Sequence, residues 1–325
     1  MSNLSITTLC NKRCAYCFAG DTRQEDRLPI FMSEEIYTKA LDYLSLSGIK
    51  QVRLLGGEPT LHPSIIPMID KAIKKKFSVL LFSNGLIKKE ILNYIEKIAV
   101  GDLTILLNTI HPLENNEKLA KQQMLTMQTL SSKVKLGINI YNRRQEYGYL
   151  LDYIDKYNLM REVRLGISHP LLEQKNEYLH PKFYGYIGRN IISFLAEAKK
   201  RQIKLGFDCG FVPCMFPVET YNLLGDMMKN AGKRCNPILD LLTDGTFISC
   251  YPLNNLKKIK ITENTTSKNL IKEFKAELSI YSNYGIYNYC TECAFFKEKF
   301  CTGGCTAMKI KRLRGCFGFC EYALF

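Results

Sequence analysis

The sequence predicts an α/β protein, in which a partial (β/α)6 barrel over residues 1–202 is followed by a small cysteine-rich α+β domain over residues 203–325. Short β-rich runs alternate with helical patterns through the first 200 residues. Six such repeats imply a parallel sheet with right-handed crossovers, and they are too few for a closed eight-stranded barrel. Beyond residue 203 the long periodic segments stop, and ten of the thirteen cysteines follow.

The elements of the predicted barrel are read from residue type and apolar spacing. The six strands are short apolar runs, predicted at Leu4–Thr8, Gln51–Leu55, Ser78–Phe82, Asp102–Leu107, Val134–Ile140 and Glu162–Ile167. The helices have apolar residues at 3.6-residue spacing, predicted at Ser33–Ser47, Ser64–Lys76, Lys88–Ile98, Asn116–Leu130, Gln145–Tyr157 and Tyr184–Arg201. Ser33 precedes two glutamates and is the predicted N-cap of the first helix. We expect the functional residues at the carboxyl ends of the strands.

Composition and charge exclude several classes of protein. No apolar run approaches the about 18 residues of a membrane span, and the N-terminus lacks the apolar core of a secretion signal. We therefore expect a cytoplasmic protein with no membrane partner. The 45 basic and 31 acidic residues give a net charge of +14, which suits an anionic peptide or cofactor, or a reductase. We expect no nucleic-acid partner, and solvated helix faces account for most of the basic runs, which are Lys71–Lys76, Lys199–Arg201, Lys257–Lys260 and Lys309–Arg314.

The first three cysteines form a compact motif after the first predicted strand. In a reducing compartment, thiols in such number are more often metal ligands or catalytic groups than disulfides. Cys10, Cys14 and Cys17 have the spacing C-x3-C-x2-C. Three thiolates on one loop can hold three irons of a [4Fe–4S] cluster and leave the fourth iron open. A zinc site on these three cysteines is the alternative, and it would need a fourth ligand.

Two turns accompany this motif. Gly56-Gly57-Glu58-Pro59 ends the second strand, and Ser83-Asn84-Gly85 ends the third. With Tyr16 just before the last cysteine of the loop, these segments resemble the radical S-adenosylmethionine (SAM) enzymes. The resemblance implies that the amino and carboxylate groups of SAM chelate the open iron. It also implies that the Gly56–Pro59 turn and Glu58 meet the methionyl amine, and that Tyr16 lies beside the adenine. Glycine permits close backbone approach, and a carboxylate suits an ammonium.

The same resemblance assigns further residues at strand ends to the cofactor site. It implies contacts to the ribose, carboxylate or adenine of SAM from Ser83 and Asn84, from Asn108 with Thr109, from Asn139 to Asn142, and from Arg164 and Leu165. Core or surface positions remain the alternative for the last three groups. The four histidines, His62, His111, His169 and His180, are each followed by proline, and we expect them in loops and not as ligands.

The cysteines after residue 203 form a second pattern. Cys235 and Cys250 bracket Gly245, and Cys290-x2-Cys293 precedes Cys301-x3-Cys305 after a gap of seven residues. The pattern resembles the SPASM extension of radical SAM enzymes that modify peptides and proteins, although the usual gap is five residues. The resemblance implies one or two auxiliary [4Fe–4S] clusters. The first would be held by Cys235, Cys250, Cys305 and either Cys209 or Cys214, and the second by Cys290, Cys293, Cys301 and either Cys316 or Cys320. The two thiols left over are either bystanders or a hydrogen donor, and a zinc ribbon is the alternative to clusters.

The resemblance also implies a class of reaction. A flavodoxin- or ferredoxin-type donor would reduce the first cluster, SAM would yield a 5′-deoxyadenosyl radical, and a ribosomally made peptide would gain a crosslink or an oxidation. Asp208, beside Cys209, is the candidate base. Sulfatase-maturing relatives carry an aspartate where Tyr251 follows Cys250, which argues against that activity.

Other functions stay open at this stage. Only nine residues precede Cys10, so we expect a separate leader-peptide-binding protein or the basic surface to recognise a leader. The alternatives are a radical SAM enzyme acting on a small molecule or cofactor precursor, a peptide epimerase, and a non-catalytic Fe–S or zinc protein.

Overall fold

A computed structural model describes residues 2–20, 28–109, 117–231 and 235–315. Seven consecutive strands pair in parallel in chain order. They are β1 (Asn3–Thr7), β2 (Gln51–Gly56), β3 (Ser78–Ser83), β4 (Leu103–Asn108), β5 (Val134–Ile140), β6 (Glu162–Ile167) and β7 (Lys204–Phe207). The predicted parallel α/β architecture is confirmed, and the six predicted strands agree with the observed ones to within one residue at each end. The seventh strand was not predicted.

Six helices connect these strands or follow them. They are α1 (Glu34–Leu46), α2 (Ile65–Lys74), α3 (Lys89–Lys97), α4 (Glu117–Thr129), α5 (Tyr149–Tyr157) and α6 (Tyr184–Lys200). Ser33 is the N-cap of α1, as predicted, since its Oγ accepts the Ile36 amide at 3.2 Å. Across the described parts of the chain, we find no helix with both the length and the apolar character that a membrane span requires.

The strands bury apolar side chains against these helices. Tyr37, Leu41 and Leu44 of α1 are almost fully buried, and they belong to the same core cluster as Leu54 of β2 and Leu81 of β3. In β3 buried residues alternate with half-buried ones, because successive side chains of a strand point to opposite faces of the sheet. Since β1 to β7 pair in parallel, their carboxyl ends lie at one edge of the sheet.

The C-terminal region extends the sheet at its other side. β8 (Asp240–Leu241) pairs in parallel with β1, and β9 (Thr246–Ile248) and β10 (Lys258–Lys260) continue in antiparallel pairing to give ten strands. The helices of this region are α7 (Tyr221–Leu224), α8 (Asp226–Asn230), α9 (Ser267–Leu278), α10 (Ala294–Lys297) and α11 (Thr306–Leu313). The domain boundary at residue 203 stays a prediction, and the sheet runs across it through β7.

Candidate functional site

The glycine turn after β2 lies directly against the backbone that leads into the first cysteine loop. The Gly57 amide donates to the Thr7 carbonyl at 2.8 Å, and the Glu58 amide donates to the Leu9 carbonyl at 2.7 Å. A Cβ at Gly57 would lie 2.0 Å from the Leu9 carbonyl oxygen, which no side chain could tolerate. The turn thus fixes the position of Cys10 relative to the end of β2.

The first cysteine loop supplies sulfur ligands with hydrogen-bond donors. Cys10, Cys14 and Cys17 are all partly exposed. The Sγ of Cys10 accepts the Lys12 amide at 3.4 Å and lies 3.8 Å from Asn84 Nδ2. Cluster-bound thiolates accept such N–H donors, which tune the metal they hold. The three thiols on one loop therefore fit a [4Fe–4S] cluster with one open iron.

The Glu58 carboxylate is buried and accepts hydrogen bonds from other residues of the protein. It is 1% exposed and accepts the Thr60 hydroxyl at 2.7 Å, the Ser83 hydroxyl at 2.9 Å and the Asn84 amide at 2.8 Å. Burial raises the pKa of this carboxyl, and these donors act against that rise. Glu58 thus ties the end of β3 to the glycine turn, and a direct contact from its side chain to a methionyl amine stays a prediction. Pro59 is buried in the short turn that Glu58 begins.

Tyr16 is held by the ends of β5 and β6. Its ring stacks on that of Tyr141 with centroids 4.7 Å apart, and its carbonyl accepts the Ser168 hydroxyl at 3.2 Å. A flat aromatic pair beside the cysteine loop is a suitable surface for a heteroaromatic ring such as adenine.

A polar network joins the ends of β5, β6 and β7. Arg164 donates through Nη1 to Asn139 Oδ1 at 2.7 Å and through Nε to Asp208 Oδ2 at 2.9 Å, and its Nη2 pairs with the same carboxylate. Burial acts to raise the pKa of Asp208, but the charge and hydrogen bonds of Arg164 outweigh it and hold the pKa below its ordinary value. A carboxylate paired in this way is a weak base at neutral pH. The pairing with Arg164 weighs against a role for Asp208 as the catalytic base, and that role stays a prediction.

Asn108 and Leu165, two further residues predicted to bind SAM, differ in the groups that they could present to it. Asn108, at the end of β4, has a buried Oδ1 without a hydrogen-bond partner in the described residues, which is an open acceptor at the strand-end edge. Leu165 is fully buried, and its carbonyl accepts the Asp208 amide at 2.8 Å. Its backbone is thus engaged in the sheet, so neither its side chain nor its carbonyl is presented to a ligand.

Four C-terminal cysteines are partly or fully buried and interact with one another electrostatically; the first quartet consists of Cys209, Cys235, Cys250 and Cys305. Burial raises the pKa of Cys250 well above its ordinary value, and Cys305, Cys235 and Cys209 are among the groups that raise it further by electrostatic interaction. Cys235 Sγ accepts the Thr306 amide at 3.3 Å, at the first residue of α11. Buried thiols that oppose one another's ionisation are suited to a shared metal cluster.

Four other cysteines line one cavity; the second quartet consists of Cys214, Cys290, Cys293 and Cys301. Loss of water raises the pKa of Cys214 to about 12, and the other three thiols of the quartet contribute to the shift. Cys301 Sγ accepts the Gly303 amide at 3.3 Å. Each quartet has the number of thiols that a [4Fe–4S] cluster would need, and their role as cluster ligands stays a prediction.

The sequence left open whether Cys209 or Cys214 joins the first set, and the structure places one in each quartet. Spacing gave no signal for Cys214, because it lies 76 positions before Cys290, its nearest partner in the chain. Cys316 and Cys320, the predicted alternatives for the second set, lie outside the described residues. Within the described residues, no three His, Cys, Asp or Glu side chains form a group that could hold a single metal ion.

His169 was predicted to lie in a loop, and nothing in the sequence indicated a contact with a cysteine. It is 6% exposed, and its Nε2 lies 3.6 Å from Cys209 Sγ. His62 and His180 cap short turns, as the prediction of loop positions requires, and His111 lies outside the described residues. A histidine next to a quartet cysteine had no motif that could reveal it.

Comparison with protein families finds a match for the N-terminal part of the chain. Residues 4–139 match the radical SAM superfamily, and this range contains the cysteine loop, the glycine turn and Asn84. This part of the chain is thus similar to a radical SAM domain. The match agrees with the predicted [4Fe–4S] cluster and SAM as cofactors, and the activity of the whole chain stays a prediction.

The curated relatives match only part of this protein. GTP 3′,8-cyclase 1 of Pseudomonas aeruginosa is 31% identical over 115 residues, 34% of this chain and 34% of that protein. Molybdenum cofactor biosynthesis protein 1 of Drosophila melanogaster is 28% identical over 110 residues, 33% of this chain and 19% of that protein. The match thus spans about a third or less of these relatives.

Similar solved structures extend over nearly the whole chain. The structure of anSMEcpe with bound AdoMet has a TM-score of 0.68 at 16% identity, and it covers 94% of this chain and 88% of that chain. Streptococcus suis SuiB bound to its precursor peptide SuiA has a TM-score of 0.68 at 15% identity, and it covers 95% of this chain and 72% of that chain. This protein therefore shares their fold through its C-terminal cysteine-rich region as well as its barrel.

Proposed function

We propose that this protein is a three-cluster radical SAM enzyme that oxidises or crosslinks a peptide. The observation that carries the proposal is that the chain has three sets of thiols. One set lies on the cysteine loop, which the glycine turn holds in place, and the other two are the cysteine quartets. When bound, SAM and the cluster on the loop supply a 5′-deoxyadenosyl radical, and the auxiliary clusters supply an acceptor for the second electron of a substrate oxidation.

The residues of the barrel bind and orient these groups. Cys10, Cys14 and Cys17 hold three irons. Glu58 keeps the glycine turn and the end of β3 together, so that the backbone groups of the turn hold a fixed position beside the cysteine loop. Tyr16, stacked on Tyr141, provides a flat surface for adenine.

The two quartets hold the auxiliary clusters in this proposal. Cys209, Cys235, Cys250 and Cys305 are the ligands of the first cluster, and Cys214, Cys290, Cys293 and Cys301 are those of the second. Each set has four thiols and needs no ligand from Cys316 or Cys320.

The peptide substrate is supported by the extent of the structural similarity. The structures that cover 94–95% of this chain include anSMEcpe with a bound peptide and SuiB with its precursor peptide. A low-potential flavodoxin or ferredoxin is the proposed electron donor, since reduction of SAM needs an external electron. A small-molecule substrate is the second candidate, because the curated relatives are GTP 3′,8-cyclases.

One experiment separates the two substrates. Anaerobically reconstituted protein is incubated with SAM and dithionite, and either GTP or a set of synthetic peptides is added. We expect 5′-deoxyadenosine to rise with a peptide whose mass falls by two hydrogen atoms. Cyclised GTP with unchanged peptides would overturn the peptide proposal in favour of the small-molecule one.

A further inference from the structure

Lys309 is a buried cation in the region of the two quartets. The sequence placed it at the start of a basic surface run, but the structure shows it 3% exposed. Its Nζ donates to the Thr302 carbonyl at 2.6 Å and to the Tyr281 carbonyl at 3.3 Å. Because Thr302 follows Cys301 directly, the ammonium lies against the backbone of the second quartet.

The same side chain is close to the first quartet. Lys309 lies one turn after Cys305 in α11, and its amide donates to the Cys305 carbonyl at 3.1 Å. Burial lowers the pKa of Lys309, while electrostatic interactions with Cys235 and Cys305 of the first quartet, and with Cys301 and Cys290 of the second, act to raise it. The Lys309 side chain thus interacts electrostatically with thiols of both quartets.

A buried ammonium needs negative charge nearby. Removing it from water is unfavourable, and backbone carbonyls supply only dipoles. Cluster-bound thiolates of the two quartets would supply that charge.

We propose that Lys309 is a positioning residue that compensates the charge of both auxiliary clusters and makes each of them easier to reduce; this rests on the proposed function, which assigns a cluster to each quartet. Reduction adds one electron to a cluster, and a nearby cation stabilises the added charge. Since the Lys309 ammonium interacts electrostatically with thiols of both quartets, its loss should affect both clusters in the same direction.

The test is a potentiometric titration of the reconstituted protein with dithionite, followed by electron paramagnetic resonance, with iron counted per chain. Each oxidised cluster takes up one electron. Lys309→Met removes the charge with similar volume, Lys309→Arg keeps it, and Lys311→Met changes a more exposed lysine on the same helix. We expect Lys309→Met to lower the equilibrium constant for reduction of both auxiliary clusters about tenfold, or about 59 mV. The other two variants should titrate like the wild type.

Each other result of this titration either supports or overturns the proposal. Wild-type potentials in Lys309→Met with full iron would overturn it and leave the proposed function standing. If Lys309→Met loses auxiliary iron, the arginine variant decides: retained iron and wild-type potentials support the charge role, and loss of iron there too overturns it. A wild-type protein without auxiliary iron would instead refute the proposed function.

Discussion

Gly57 sets how closely the glycine turn approaches the backbone of the cysteine loop. A Cβ at this position would lie 2.0 Å from the Leu9 carbonyl oxygen. Because backbone lies on both sides of the contact, neither side can move without displacing the glycine turn or the cysteine loop. Gly57 is therefore a sensitive probe of whether the turn positions the first cluster and SAM.

We predict that Gly57→Ala lowers the rate of 5′-deoxyadenosine formation about 100-fold, as displacement of reacting groups by about 1 Å commonly does. The rate is measured with SAM and dithionite. Gly101→Ala is the matched control, since nothing lies within 4 Å of a Cβ there. A Gly57→Ala protein with the wild-type rate would show that the turn does not set the geometry.

At the same scale, the sequence predicted the local motifs and missed the distant contacts. The spacing of Cys10, Cys14 and Cys17 is visible within eight positions, as is the glycine turn. The bonds from Glu58 to the end of β3, and the contact of His169 with Cys209, join residues 25 and 40 positions apart. No spacing pattern reports such pairs, because they depend on how whole strands are placed side by side.

At the scale of elements, the length of a strand decided whether the sequence could predict it. β1 to β6 have five to seven residues and lie between amphipathic helices, so their patterns are clear. β8, β9 and β10 have only two or three residues, too few for a periodic signal. The pairing of β8 with β1 brings the C-terminal region to the barrel, and it could not be predicted.

The pairing of β8 with β1 includes a titratable group, Asp240, which should make the free energy of unfolding depend on pH. Asp240 of β8 is 2% exposed and accepts Asn3 Nδ2 of β1 at 2.7 Å. Burial raises the pKa of Asp240 from 3.8 to about 7. The folded state therefore binds the proton more tightly than the unfolded state. The free energy of unfolding should fall as pH rises from about 4 to about 7, by up to about 1.4 kcal/mol for each pH unit.

We predict that Asp240→Asn removes this slope, because the amide does not titrate. Urea unfolding of both proteins between pH 5 and 7.5 measures it. Asp102→Asn, at an exposed aspartate, should keep the wild-type slope. Equal slopes in the wild type and Asp240→Asn would contradict the assignment.

At the scale of the whole molecule, the account places three separate thiol sets around one continuous sheet. The second quartet closes through Cys214, which comes just after the end of β7 and far from its partners in sequence. We predict that Cys214→Ala lowers the iron content from about twelve to about eight per chain, while Cys316→Ala leaves it unchanged. The reverse result, with iron lost in Cys316→Ala alone, would show that the second cluster uses the C-terminal cysteine.

The most direct test of the three-cluster radical SAM assignment is one anaerobic comparison. Iron, sulfide and 5′-deoxyadenosine are measured in the reconstituted wild type and in a variant with Cys10, Cys14 and Cys17 all changed to Ala. The account predicts about twelve irons falling to about eight, with 5′-deoxyadenosine formation lost. Zinc in place of iron, or 5′-deoxyadenosine formed equally by the variant, would contradict it.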